Sequence, residues 1–321
     1  MGTSAASSLG HDATKNAVLA AIEVGFRHLD TASLYGTERP LGHAVAEAVR
    51  GAGSSRPGRR CSSKLWCTQC HPDLVLPSLR ESLQALSRKL QMEYVDLYLI
   101  HFPVCMKPGP ITWPAKREDA VPFDVEGVWR AMEESQRLGL ARAIGVSNFT
   151  TRHLDRLLAV ATIPPAVNQV ELNPAWQQRT LRAYCADKGI RVAAYSPLGG
   201  QDWSGSGEAN AVLESEALGD RQSQRENRGT GCWPWPSFLW LCSCLVSLRW
   251  IHGQGVTWIV KSYNKERLKQ NLDIFDWELS EEDRLKISRM PQRKFVTATA
   301  LFSPEGEFTS VDLSNKDIVE E

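Results

Sequence analysis

The sequence predicts an α/β fold closed as a (β/α)8 TIM barrel in a single domain. Short β-like runs alternate with longer stretches of helical period along 321 residues, and the runs are continuously apolar, as strands covered on both faces must be. Strand, helix, strand repeated in this way means parallel strands joined by right-handed crossovers. The G-x-G-x-x-G turn that opens a doubly wound dinucleotide-binding sheet is absent, which disfavours the open-sheet alternative. A chain of this length suits one barrel.

In chain order, Met1–Ser4 reads as the stump of a first strand, and the amphipathic stretch Lys15–Val24 leads into the run Phe26–Thr31. A weak strand at Ser63–Trp66 is followed by the helical stretch Leu74–Leu90 and the run Val95–His101. Val125–Leu138, His153–Val160 and Arg179–Lys188 are the next amphipathic stretches, and they alternate with the runs Ala141–Ser147, Ala166–Leu172 and Arg191–Ser196. Val256–Lys261 and the helical stretch Lys265–Phe275 complete the series.

Lys plus Arg and Asp plus Glu both number 37, so no global field draws in a nucleic acid or an anionic membrane, and a small ligand is the expected partner. The eight cysteines follow no disulfide framework and no signal peptide precedes them, which fits a reduced, cytoplasmic setting. Cys67 and Cys70 form a C-x-x-C, but no second pair at metal spacing follows, so ordinary thiols and no metal are expected. Cys232 to Leu248 is free of charge, yet it reaches only the lower limit for a membrane span and carries Pro234 and Pro236 in its first turns, so no spanning is expected.

In such a barrel the chemistry sits at the carboxyl ends of the strands. Those ends present Asp30 and Tyr35, Lys64, His101, Ser147 and Asn148, Gln169 and Glu171, Tyr195 and Ser196, and Lys261 and Ser262. Singly, Asp30 could cap a helix, Lys64 could pair with a surface acid and His101 could be a core imidazole. Together they offer an acid, a phenol, an ammonium and an imidazole at one mouth. A phenol titrates near ~10 in water and serves as an acid at neutral pH only with a cation beside it. Lys64 can be that cation, Asp30 can keep it charged and aimed, and His101 can donate to a substrate carbonyl. A Schiff-base aldolase using Lys64 is the alternative chemistry, and Asp30 and Tyr35 at their spacing argue against it.

The motifs "GFRHLDTASLYG", "SKLW", "VDLYLIHFP", "IGVSNF", "VNQVELNP", "AYSPLGG" and "VKSYNKERLKQNLDIFDWEL" resemble the successive signatures of the aldo-keto reductases over most of the chain. "HPDLVLPSLRESL" and "VPFDVEGVWRAMEE" are similar to its plant branch, among grass carbonyl reductases that make phytosiderophores. The resemblance implies NADPH-dependent reduction of an aldehyde or ketone, a keto acid being one candidate, with Asp30, Tyr35, Lys64 and His101 as the catalytic tetrad and Tyr35 as general acid. It implies that Ser147, Asn148 and Gln169 hold the nicotinamide carboxamide, that Tyr195 stacks on the ring, and that Ser196 and Leu198 complete that side. Lys261, Ser262 and Arg267 match the positions that grip the 2′-phosphate, with Gln270 and Asn271 near the adenine. Phe102, Trp113 and Phe302 are the implied substrate walls, residues 291–321 the substrate loop and tail, and the family is expected to act here as a monomer.

Three departures accompany the resemblance. The amino-terminal hairpin that plugs the barrel is expected to be missing, and "GSSRPGRRCSSK" from Gly53 to Lys64 stands where relatives carry an apolar third strand. Residues 219–245 read as an aberrant insertion, and both this stretch and the Gly53 segment have the look of frame-shifted translation. Replacing apolar strand residues by Arg59, Arg60 and Ser62 is expected to remove buried side chains worth roughly 1.5–3 kcal/mol each. An inactive nucleotide-binding barrel is therefore the alternative function.

Overall fold

The structure is a computed structural model that describes residues 1–4, 10–51, 60–87, 93–111, 115–199, 235–294 and 296. Seven parallel strands form one sheet in the order β1 (His28–Asp30), β2 (Arg60–Leu65), β3 (Leu97–Ile100), β6 (Ile144–Ser147), β7 (Val167–Glu171), β8 (Arg191–Tyr195) and β9 (Thr257–Trp258). Two short strands, β4 (Cys105–Met106) and β5 (Ala120–Val121), pair antiparallel in a separate ribbon between β3 and β6.

The expected first strand joins the two edges of this sheet. The Gly2 amide donates to the Val260 carbonyl at 2.8 Å, while the Asp30 amide donates to Met1 and the Thr3 amide to Asp30, at 2.8 and 2.9 Å. Met1–Thr3 thus lies between β9 and β1 and closes the cylinder, so that no sheet edge is left open there.

Helices α1 (Gly10–Val24), α2 (Glu38–Gly51), α3 (Val75–Ser87), α4 (Val125–Arg137), α5 (Thr151–Leu158), α6 (Arg179–Asp187), α7 (Trp235–Gly253), α8 (Lys265–Gln270) and α9 (Glu281–Ser288) follow in chain order. Their starts carry the expected chemistry. Asp124 accepts from the Gly127 amide at 2.9 Å, and Thr150 with His153 and Ser280 with Asp283 form reciprocal capping boxes. Gly145 in β6 lets the next strand approach, because a Cβ there would sit 2.5 Å from the Val167 carbonyl oxygen.

One apolar cluster fills the space between sheet and helices, with Leu29, Ile100, Val146, Val170 and Ala194 from the strands and Val18, Leu41, Leu79 and Trp129 from the helices. A second, smaller cluster sits on the carboxyl side of β2 and β3, built from Trp66, Cys67, Val104, Met106 and Ala115 with Phe102, Ile111 and Ala120 against it. It is the apolar floor beside the site described below.

The weak strand at Ser63–Trp66 extends back to Arg60, and it forms despite its polar composition. It pairs on both sides, with Asp30 against Ser62 and Lys64 against Leu99. Ser62, Ser63 and Lys64 are all fully buried. The feared loss of burial is met by hydrogen bonds, since Ser62 donates to Asp30 at 2.8 Å and Ser63 to Glu38 at 2.6 Å. Arg59 and the rest of residues 52–59 lie outside the described residues.

The charge-free stretch is helical from Trp235 onward. Pro236 falls in the first turn of α7, where the missing amide has no intrahelical partner to lose. The described half of α7 buries Cys244, Val246, Leu248, Trp250 and Ile251 against the barrel, and among the described residues no helix is long and apolar enough to cross a membrane. Residues 200–234 lie outside the description.

Cys61, Cys67, Cys70, Cys105, Cys185 and Cys244 are buried thiols that form no disulfide among the described residues. Burial pushes the Cys67 and Cys70 thiols well up, so this C-x-x-C holds no thiolate at neutral pH.

Candidate active site

Each member of the predicted tetrad is placed by a strand end. Asp30 closes β1, Lys64 stands in β2, and His101 follows β3. Tyr35 ends a single 3-10 turn, Ser33–Tyr35, which Gly36 terminates at φ 63°, a left-handed conformation that favours glycine. The Ser33 hydroxyl donates to the Lys64 carbonyl at 3.1 Å and pins that turn to β2.

The four side chains meet. Lys64 Nζ donates to Asp30 Oδ1 at 2.6 Å and to the Thr31 carbonyl at 2.9 Å, and lies 5.1 Å from the centre of the Tyr35 ring. Tyr35 OH is 3.3 Å from His101 Nε2. Asp30 Oδ2 accepts from Ser62 at 2.8 Å and from Gln169 Nε2 at 3.0 Å.

Electrostatics follow from burial set against pairing. Burial pushes the Asp30 carboxyl up, but the Lys64 ammonium and its hydrogen bond, with His28 and the Gln169 hydrogen bond, together outweigh it and hold the group below the aspartate range. Burial likewise pulls Lys64 down, and Asp30 with Tyr35 more than offset it, so the ammonium is held above its ordinary value. Burial raises the phenol of Tyr35 more than Lys64 lowers it, so the hydroxyl keeps its proton and Lys64 only moderates the rise.

His101 is driven well below the histidine range by burial and then by Lys64, so the ring is neutral. Its Nδ1 is buried with no partner among the described residues. An orphan acceptor is tolerated better than an orphan N–H, which assigns the proton to Nε2, facing Tyr35.

The remaining strand ends form an adjoining polar strip. Ser147 donates to the Gln169 carbonyl at 2.7 Å, Asn148 Nδ2 donates to the His101 carbonyl at 2.9 Å, and the Tyr195 hydroxyl donates to Asn148 Oδ1 at 2.7 Å. Asn148 and Ser196 hold positive φ angles of 63° and 47°, strain of a kind that gathers at functional rims. Leu198 packs half-buried against the main core.

Beyond β9, Ser262 caps the loop by accepting from the Asn264 amide at 3.1 Å, and Asn264 in turn accepts from the Arg267 amide at the start of α8. Gln270 ends α8, and Asn271 beside it is buried. Lys261 has its pKa lowered by partial burial, and among the described residues no carboxylate pairs with it. A cation left unpaired next to a hydroxyl suits a phosphate dianion, so this corner fits the expected nucleotide.

Beside the imidazole, Phe102 stacks on His101 with ring centres 5.1 Å apart and planes at 27°. Trp66 meets the same imidazole edge-on at 5.2 Å and Phe102 at 6.0 Å. Trp66 was absent from the sequence-derived site although it directly follows β2, and the strand-end rule would have found it. Ser62 was missed for a similar reason, since it shares the face of Lys64 two residues on. Trp113, Phe302 and most of residues 291–321 lie outside the described residues.

Arg293 and Val296 are tied to the same rim. The Val296 amide donates to buried Glu171 Oε2 at 2.8 Å and the Arg293 amide to the Ala175 carbonyl at 2.7 Å. Gln177 adds bonds to Ile287 and Gln292.

A model described as "Aldo/keto reductase family" matches residues 1–239. Deoxymugineic acid synthase 1 of Oryza sativa subsp. japonica is 50% identical over 302 residues, covering 93% of this chain and 88% of that protein. The (1S)-1,7-diacetoxy-luvungin A aldo-keto reductase of Citrus sinensis is 48% identical over 305 residues, covering 94% and 89%. Among solved structures, a Bombyx mori aldo-keto reductase in complex with NADP matches at a TM-score of 0.75 and 32% identity, covering 93% of this chain and 91% of that one. Aldose reductase from Schistosoma japonicum matches at a TM-score of 0.77 and 26% identity, covering 94% and 91%.

Proposed function

The chain belongs to the aldo/keto reductase family, and from that premise we propose that it reduces an aldehyde or ketone to the alcohol with NADPH, Tyr35 supplying the proton. The observation that carries this reading is the unbroken contact from Asp30 through Lys64 to Tyr35 and His101. Bound NADPH would contribute one thing, the hydride for the carbonyl carbon.

The chain's own groups do the rest. His101 Nε2–H donates to the carbonyl oxygen and orients it. Tyr35 gives its proton as charge develops on that oxygen, and Lys64 stabilises the phenolate left behind. Asp30 keeps Lys64 charged and aimed, because its own carboxyl is ionised throughout the neutral range. An aldolase role for Lys64 is disfavoured by the same contact, since a nucleophilic amine must be neutral and this one is held above its ordinary value.

Ser147, Asn148 and Gln169 hold the nicotinamide carboxamide, with Tyr195 against the ring and Ser196 and Leu198 beside it. Lys261, Ser262 and Arg267 take the 2′-phosphate, which favours NADPH over NADH, and Gln270 and Asn271 lie at the adenine. Phe102 and Trp66 line the substrate side, with Trp113 and Phe302 as further walls. The deoxymugineic acid synthases among the relatives make a keto acid the first substrate to try. The protein is proposed to work as a cytoplasmic monomer that binds no nucleic acid.

NADPH consumption, followed by absorbance across a panel of aldehydes and keto acids, tests the reading. Tyr35→Phe is expected to lower kcat by about 10²–10⁴-fold with NADPH binding retained. An unchanged rate in that variant would overturn it.

A further inference from the structure

Ser62 belongs to neither the tetrad nor the nucleotide strip, yet it is buried between two titratable groups. Its hydroxyl donates to Asp30 Oδ2 at 2.8 Å, and its own Oγ is 3.0 Å from His28 Nε2. Because a hydroxyl has one proton, already given to the carboxylate, Ser62 can only accept from the imidazole. His28 therefore carries its proton on Nε2, and a directed chain runs from His28 through Ser62 to Asp30.

The carboxylate it reaches is divided between two tasks. Oδ2 takes Ser62 and Gln169, both neutral donors, while Oδ1 takes Lys64. Two bonds on Oδ2 fix the rotation of the carboxyl group, and so fix the direction in which Oδ1 pulls the ammonium. Strand register supports this, since Asp30 sits opposite Ser62 and Lys64 follows on the same face.

We propose that Ser62, backed by His28, is a positioning residue of the reductase site, which shares the Asp30 carboxylate with Lys64 and thereby leaves the ammonium within reach of Tyr35. The proposal rests on the reductase reading above. Without the Ser62 hydroxyl, Asp30 keeps more of its charge for Lys64 and draws it away from the phenol. Both changes make the phenolate less stable.

The groups that face the Tyr35 hydroxyl and bear on its titration are Lys64, Asp30, His101, the Ser4 hydroxyl and the Tyr195 phenol. Those that face His28 are Asp30, Lys64, Arg60 and the Met1 amine. A test that needs no turnover follows. Full-length protein carrying ¹³Cζ-tyrosine is titrated by NMR, with the Tyr35 signal assigned by its loss in Tyr35→Phe.

Ser62→Ala is expected to move the Tyr35 titration upward by about one unit, which corresponds to a 10-fold change. On the kinetic side kcat falls on the order of 10-fold, the share of one hydrogen bond to a charged group, while the KM for NADPH holds. Ser62→Thr returns the titration to the wild-type position. Ser62→Cys, nearly isosteric with a weak donor, gives the same direction at smaller amplitude and stands in should the alanine variant not fold.

A Tyr35 titration unmoved in both Ser62→Ala and Ser62→Cys would overturn the proposal. Failure of the reductase reading shows itself separately, as equal NADPH consumption by the wild type and Tyr35→Phe.

Discussion

Strand β2 and helix α7 both stand in the wall of the barrel, and they are held there by opposite means. The buried polar side chains of β2 are Ser62 and Lys64 on its inner face and Ser63 on its outer face, each tied at 2.6–2.8 Å to a named acceptor. The buried side chains in the described half of α7 are mostly apolar, with Val246, Leu248, Trp250 and Ile251 packed without direction into the core and Ser247, bonded to the Pro197 carbonyl, as a directed exception. A strand held by directed bonds fixes where atoms point, whereas a helix held by apolar contact fixes only that it stays. The site is built on the first kind.

The comparison is broken most severely at Lys64. Lys64→Met is expected to reduce kcat by about 10²–10⁴-fold and, by leaving Asp30 buried without its counter-charge, to destabilise the fold by about 3–5 kcal/mol. Adding Asp30→Asn should restore most of the stability in urea unfolding and none of the activity. Recovery of both together would show that β2 matters only as a scaffold.

Leu248→Ala in α7 is fully buried and should cost about 2–5 kcal/mol through the cavity it leaves, yet kcat per folded molecule should hold. Ser63→Ala on the outer face of β2 strands the buried Glu38 carboxyl, with about 1–3 kcal/mol lost in denaturant midpoint and little change in rate.

Acid sharpens the same contrast. The Asp30 carboxyl is depressed below its ordinary 3.8, so its contribution to stability is complete above that value and is lost as the pH falls through the lower folded-state pKa. Lys64 is raised above its ordinary 10.5, so its share is complete below that value and is lost only as the pH rises through the higher folded-state pKa. Wild type should therefore lose stability on acidification below about pH 3.8 more steeply than Asp30→Asn, read by circular dichroism. Smallest of all, Glu126→Ala removes an exposed helix pair with Arg130 and should change stability by under ~0.5 kcal/mol.

Alternation of apolar runs and amphipathic stretches made the barrel legible, and the polar residues closing those runs made the meeting of Asp30, Tyr35, Lys64 and His101 at one mouth legible, because both depend on period and position along the chain. What composition obscured was β2. Ser62 and Ser63 look wrong for a buried strand until Asp30 and Glu38 are seen opposite them, and those partners lie 32 and 25 residues away in sequence. The sign at Tyr35 was hidden for a related reason. Proximity to Lys64 can be guessed from sequence, while the burial that outweighs it is a property of the closed cylinder. Trp66 also stands at a strand end, but it carries no acid, base or hydroxyl, and only its packing against His101 marks it as part of the site.

The bond from the Val296 amide to Glu171 ties the carboxyl-terminal arm to the strand that presents Gln169. That amide can exchange its hydrogen with solvent only when this bond opens, so its exchange rate is a clock for opening at the rim. A ligand that settles on Gln169 and stiffens the end of β7 slows the clock, and by thermodynamic reciprocity opening of the Val296–Glu171 bond then weakens that ligand by the same factor.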